Sequence, residues 1–228
     1  LSGANPGQLI TPTAYSWTPN TALSSATVAS PTATPTATSS YICTATVNSC
    51  PVISNAVTVT VNALPTITAS AASATICAGT STTLSATGAN TYTWSPATNL
   101  SATTGSPTYT PSTTGSATYT VTGTDANGCV NTNSVSITTI APPAAVSVSG
   151  TSPNCAATTL TASGGAGGNI YFQGTTSNGN STAILSSSET INTSGTYYFR
   201  SYDGTCFGPQ GSLAVVINTQ PVITQDLS

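Results

Sequence analysis

The feature that most constrains this chain is a repeat. Tyr41, Tyr119 and Tyr197 follow one another at intervals of 78 residues, and Pro65, Pro143 and Pro221 keep the same interval. Trp17 and Trp94 are 77 apart, and Phe172 follows Trp94 by 78. Cys50, Cys129 and Cys206 are spaced by 79 and 77, and Cys77 and Cys155 by 78. Landmarks of different chemistry that agree on one period imply a tandem array of one unit, and this period is the size of a small domain. The expected division is 1–64, 65–142 and 143–220, with 221–228 reopening the motif of a further unit.

The second copy sets the pattern. Pro65-Thr-Ile-Thr opens a first strand, Thr82-Thr-Leu-Ser-Ala-Thr reads as a second, and Thr91-Tyr-Thr-Trp as a third anchored by Trp94. Pro107-Thr-Tyr-Thr gives a short fourth. Ala117-Thr-Tyr-Thr-Val-Thr alternates strictly, which places Tyr119 and Val121 on one face. Asp125-Ala-Asn-Gly is a hairpin signal, and Ser134-Val-Ser-Ile closes the unit. Short strands separated by turn residues predict an all-β fold of tandem immunoglobulin-like sandwiches, and no stretch has helical periodicity. Trp17, Trp94 and Phe172 are expected in equivalent cores. Ala63-Leu64-Pro65 and Ala141-Pro142-Pro143 are the expected joints, stiffened by proline.

Charge excludes several function classes. Arg200 is the one basic side chain, and Asp125, Glu189, Asp203 and Asp226 are the acids; His, Lys and Met are absent. Charged residues make up 2%, far below the usual quarter, so a polar surface must come from Ser, Thr, Asn and Gly. One cation draws no basic patch, so nucleic acid is not an expected partner. No apolar run reaches the roughly 20 residues of a membrane span, so no membrane insertion is expected. Without His or Lys a serine lacks its usual base, so no catalytic residues are assigned and the chain is expected not to be an enzyme. Such a weakly charged surface suits a molecule that works packed against copies of itself.

Six cysteines remain: Cys43, Cys50, Cys77, Cys129, Cys155 and Cys206. Their spacing offers no zinc cluster, and neither a metal nor a cofactor is expected. Disulfides in an oxidising, extracellular compartment are the natural reading. Cys77 falls between the first two strands and Cys129 follows the last hairpin, so the expected bridges are Cys77–Cys129 and, by the repeat, Cys155–Cys206. Cys43–Cys50 is the third.

The run CAGTSTTLSATGANTYTWSPATNLSATT, continued by YTVTGTDANGC up to Cys129, resembles the immunoglobulin-like and PKD-like repeats of giant surface proteins of the Bacteroidota. The third copy, from Leu160 to Ser212, is similar to a sister repeat of the same proteins. The resemblance implies type IX secretion, a place at the cell surface, and a role in gliding, adhesion or spacing.

The two ends raise a further expectation. Matched to Pro65 and Pro143, the first copy lacks a first strand and a first cysteine, whereas Pro221-Val-Ile-Thr-Gln-Asp-Leu-Ser opens a unit and stops. Either the sequence is a window on a longer array, or the tail of one molecule completes the first domain of the next by strand addition. In the second case Val222, Ile223 and Leu227 are the donor side chains, and Ile223 is the counterpart of Ile67.

Other candidates are weaker. Glu189 and Asp203 read as separate surface acids, and Asp125-Ala-Asn-Gly as a turn rather than a calcium loop. Tyr171, Tyr198 and Tyr202 form either an aromatic platform for surface glycans or ordinary sheet packing, the second being preferred. The alternatives to a filament subunit are therefore a carbohydrate-binding adhesin module and an inert spacer in a large secreted protein.

Overall fold

The computed structural model describes residues 11–220. The chain divides into two compact units, the first holding residues up to Pro65 with Thr124–Asn131, the second holding Thr66–Gly123 and the residues from Thr132 onward. All regular structure among the described residues is β-strand, and the fold is all-β and immunoglobulin-like.

In the first unit, β1 (Ala14–Thr18) pairs antiparallel with β2 (Ser39–Val47), which continues to β3 (Cys50–Ile53) through the tight Asn48-Ser49 turn. β4 (Val57–Val59) pairs with the start of β2. Tyr41 is the buried side chain of this sheet, at 3% exposure, and its hydroxyl donates to the Thr21 carbonyl. Val52, Ile53 and Val57 stay exposed, and Trp17 is half-buried. The Asn131 side chain donates to the Pro65 carbonyl at the end of the unit.

The second unit begins with a sandwich of two sheets. One has the order β5 (Thr68–Ala71), β7 (Thr82–Thr87), β9 (Thr108–Tyr109). The other has the order β6 (Thr75–Cys77), β11 (Val130–Ile140), β10 (Gly115–Thr124), β8 (Thr91–Ser95). Alternating side chains of the two inner faces meet in a core of Ile67, Leu84, Trp94, Tyr109, Tyr119, Val121 and Ile137. Each large apolar group so buried contributes about 1.5–3 kcal/mol. Tyr109 and Tyr119 pack edge to face with centroids 5.2 Å apart. Burial and the neighbouring Tyr109 push the Tyr119 hydroxyl above its ordinary pKa. Trp94 Nε1 donates to the Gly105 carbonyl and Trp17 Nε1 to the Val28 carbonyl, each eleven residues downstream, so the repeat seen in sequence is also a repeat of hydrogen bonds.

A second sandwich follows. β12 (Val146–Ser149), β14 (Thr158–Gly164) and β16 (Ser188–Ile191) form one sheet, and β15 (Asn169–Phe172), β17 (Gly195–Tyr202) and β18 (Gly211–Val215) the other. β13 (Asn154–Cys155) pairs with β19 (Ile217–Asn218). Its core holds Val146, Leu160, Ile191, Tyr197, Phe199 and Val215. Phe199 is fully buried, while Phe172 packs against that core half-buried, so the expected anchor gives way to its cross-strand partner.

The strand pairing overturns the expected bridges. β6 is parallel to β11, with Cys77 opposite Ile140, whereas Cys129 precedes Val130 at the other end of β11. Eleven residues of strand, about 36 Å, therefore separate the two sulfurs. In the same way Cys155 lies opposite Asn218, while Cys206 precedes β18 and β19. In the first unit Cys50 lies opposite Val47, four residues or about 13 Å of strand from Cys43. A disulfide requires Cα atoms within about 7 Å. The bridge that forms joins Cys77 to Cys206, with Cα atoms 5.8 Å apart, and Cys43, Cys50, Cys129 and Cys155 are thiols.

Candidate functional site

The Cys77–Cys206 node is built from two local devices. The first is the short parallel strand β6, held at the end of β11 by the Ala78 N–H donating to the Ile140 carbonyl. It presents Cys77 where one sandwich ends. The second is a turn. Asp203 Oδ1 accepts the backbone N–H groups of Thr205 and Cys206, both at 2.7 Å, and this holds Cys206 at the tip of the β17–β18 connection. These two donors, Cys206 first, keep the Asp203 carboxyl below the usual carboxylate range. The bridge thus joins two successive sandwiches covalently across a sequence separation of 129. Closing so long a loop is worth about 4–5 kcal/mol in the chain-entropy picture.

A related turn, one residue longer, occurs at Asp125, whose Oδ1 accepts the N–H groups of Asn127 and Cys129. Its carboxylate is therefore engaged as a turn cap. Among the described residues no group of three potential metal ligands converges. Glu189 lies on β16 and Asp203 beyond β17, in different sheets.

The outer face of β15-β17-β18 carries Tyr198, Arg200 and Tyr202, which alternate with buried Tyr197, Phe199 and Ser201. Tyr171 pairs with Arg200 across β15. Tyr171 and Tyr202 meet edge to face at 6.2 Å, and Tyr202 stacks on Phe207 at 4.3 Å. They flank a cleft of about 440 Å³ that also includes Asn169, Asp203 and Gly204. Tyr198 stands apart from this cleft, with Arg200 between it and Tyr202.

Arg200 organises that face. Its Nε donates to the Gly208 carbonyl at 2.9 Å, and Nη1 donates to the Gly179 carbonyl and Asn180 Oδ1 at 3.2 and 2.8 Å. Nη2 reaches the Phe207 carbonyl at 3.4 Å, and the guanidinium lies 5.0 Å from the Phe207 ring centroid. Partial burial lowers its pKa from the ordinary value. The sequence assigns Arg200 no role, since most of its partners are backbone carbonyls. Val222, Ile223 and Leu227, the expected donor side chains, lie outside the described residues.

No protein-family model matches the chain, and no curated protein matches it. Among solved structures it is similar to murine CEACAM1b, with 16% identity, 67% of this chain and 100% of that chain covered, and a TM-score of 0.33. It is similar to the fibronectin(III)-like modules of Clostridium thermocellum CbhA, with 12% identity, 70% and 100% coverage and a TM-score of 0.36. It is also similar to a Ca2+-stabilized adhesin with which an Antarctic bacterium binds ice, with 16% identity, 80% and 58% coverage and a TM-score of 0.35.

Proposed function

We propose that this chain is a structural segment of an extracellular bacterial surface filament or adhesin, without enzymatic activity, assembled head to tail by strand donation from residues 221–228. The observation that carries this reading is a disparity between cores. The sandwiches around Trp94 and Phe199 each bury a cluster of large apolar side chains. The sheet of β1–β4 buries Tyr41 alone among its described apolar residues and leaves Val52, Ile53 and Val57 more than half exposed. Uncovered apolar surface of this kind favours a partner. An added strand carrying Val222, Ile223 and Leu227 supplies one, and its pairing propagates because the contact is heterologous. The disulfide and the scarcity of charge fit life outside the cell among copies of itself. The resemblance to Bacteroidota surface repeats supports cell-surface attachment and type IX export.

Imaging of the native material tests the reading: it predicts filaments of a short repeating subunit, and isolated compact particles would refute it. The second reading, a carbohydrate-binding module, is favoured by the cleft flanked by Tyr171 and Tyr202. A glycan array on the purified chain separates the two, since the structural reading predicts no glycan retained above background.

A further inference from the structure

The cleft flanked by Tyr171 and Tyr202 has walls of two kinds, aromatic and acidic. Asn169 lies opposite Tyr202 in the antiparallel β15–β17 pair, and Tyr171 follows it on the same face of β15. The two tyrosine rings stand at 70° to one another, so they make a corner rather than a flat platform. Tyr202 is held there by its stack on Phe207 and by its hydroxyl, which donates to the Gly204 carbonyl at 2.7 Å. Gly167, Gly168 and Gly204 line the cleft without side chains, and a Cβ at Gly168 would come within 2.8 Å of the Tyr202 carbonyl. The other walls are the Asn169 amide and the exposed Asp203 carboxylate, whose Oδ1 is fixed by the Thr205 and Cys206 N–H groups. Arg200 is the one cationic side chain of the chain, and it spends its donors on the Gly208, Gly179 and Phe207 carbonyls and on Asn180 Oδ1. The charge of Asp203 therefore has no side-chain cation of this chain as its partner.

We infer that this cleft binds a lysine side chain of a partner protein. A cation beside aromatic rings is attracted by their quadrupoles, and a corner of two rings offers it more than one wall. The Asp203 carboxylate adds a charge of the opposite sign at the rim of that corner. An ammonium is a compact charge with three donors, which suits acceptors on separate walls, here the Asp203 carboxylate and the Asn169 amide oxygen. The four-carbon stem of lysine packs on the tyrosine rings while its head reaches the acid. The chain carries a net charge of −3 and has no lysine, so the complementary group belongs to a partner other than a copy of this chain. The inference does not depend on head-to-tail assembly, and it gives the cleft of the second reading a cationic ligand in place of a sugar.

The test is saturation-transfer NMR on the full chain with a blocked Gly-Gly-Lys-Gly-Gly peptide, titrated through the millimolar range. The method reads bound peptide on a monomer or a filament alike, so its outcome is separate from that of assembly. The expected result is saturable transfer to the lysine side-chain protons, weakened as salt is raised, and almost none to the same peptide acetylated on its lysine. Asp203→Asn, which keeps the acceptor oxygen of the turn, and Tyr171→Leu should each weaken binding at least threefold. Tyr198→Ala, on the same face but outside the cleft, should leave it unchanged. The salt series on the unaltered chain keeps the test decisive if either variant folds poorly. Cellotriose serves as the neutral counter-probe. Transfer to cellotriose but not to the lysine peptide, equal binding of the acetylated peptide, or no transfer to either probe overturns the inference.

Discussion

Arg200 and Asp203 show how much structure two charged side chains organise in a chain with so few. The guanidinium ties the 178–180 loop and the 207–208 segment to the outer face of β17 through backbone carbonyls and one amide oxygen. Arg200→Ala should therefore lower the stability of the third repeat by about 1–3 kcal/mol in thermal unfolding. Lysine should restore little of it, because an ammonium lacks the guanidinium fork. Asp203 carries a pH dependence. Its folded pKa is depressed, so the stabilisation of the turn is present above the ordinary carboxylate range and is lost as pH falls through the lowered folded value. Protection of the Thr205 and Cys206 amides from exchange, relative to the intrinsic rate at each pH, should fall only on that acid side, and Asp203→Asn should abolish this pH dependence while keeping the acceptor oxygen. The turn was not read from sequence, where Asp203 stands only as a surface acid although Asp–Gly is a turn signal. Nor was the role of Arg200, because most of its partners are carbonyls, which carry no sequence signature.

At the scale of strands, stability depends on which faces are buried. Leu84→Ala and Ile137→Ala remove fully buried side chains from opposite sheets of one core and should each cost about 2–5 kcal/mol by denaturant unfolding. Val52→Thr, at an exposed position of β3, should change stability by less than about 0.5 kcal/mol. Gly88→Ala should be more damaging than its size suggests. Gly88 has φ +100° at the end of β7, and a Cβ there would run into the Thr66 carbonyl oxygen. The long alternating strands were legible because period 2 writes the buried face directly into the sequence: Tyr119 and Val121 in β10 both point into the core. β6 and β13 were not. Two or three residues have no period, and each pairs in parallel with a strand end more than 60 residues away. Missing them placed Cys77 at the wrong end of the sheet, and the bridge assignment failed for that reason.

For the whole molecule, the Cys77–Cys206 bond makes two successive sandwiches one covalent body besides their linker. Reduction, or Cys77→Ser, should leave both cores folded but let them melt in separate calorimetric transitions, where the oxidised protein melts in one. The 78-residue period was legible in part: Tyr41, Tyr119 and Tyr197 are each buried on a long strand, and Trp17 and Trp94 make the same indole-to-carbonyl bond, but Phe172 does not take the buried place of Trp94. The link between repeats was hidden, because a bond from the end of one repeat to the tip of the next is invisible when each repeat is read alone. The proposed head-to-tail assembly joins copies of this chain through residues 221–228. Its most direct measurement is the sedimentation mass of the full chain beside a chain ending at Gln220, both under reducing conditions so that no disulfide contributes. Head-to-tail donation predicts a broad, concentration-dependent series of multimers for the full chain and a monomer for the shortened one. Multimers that persist without residues 221–228, or a full chain that sediments as a monomer with a well-protected first sheet, would contradict it.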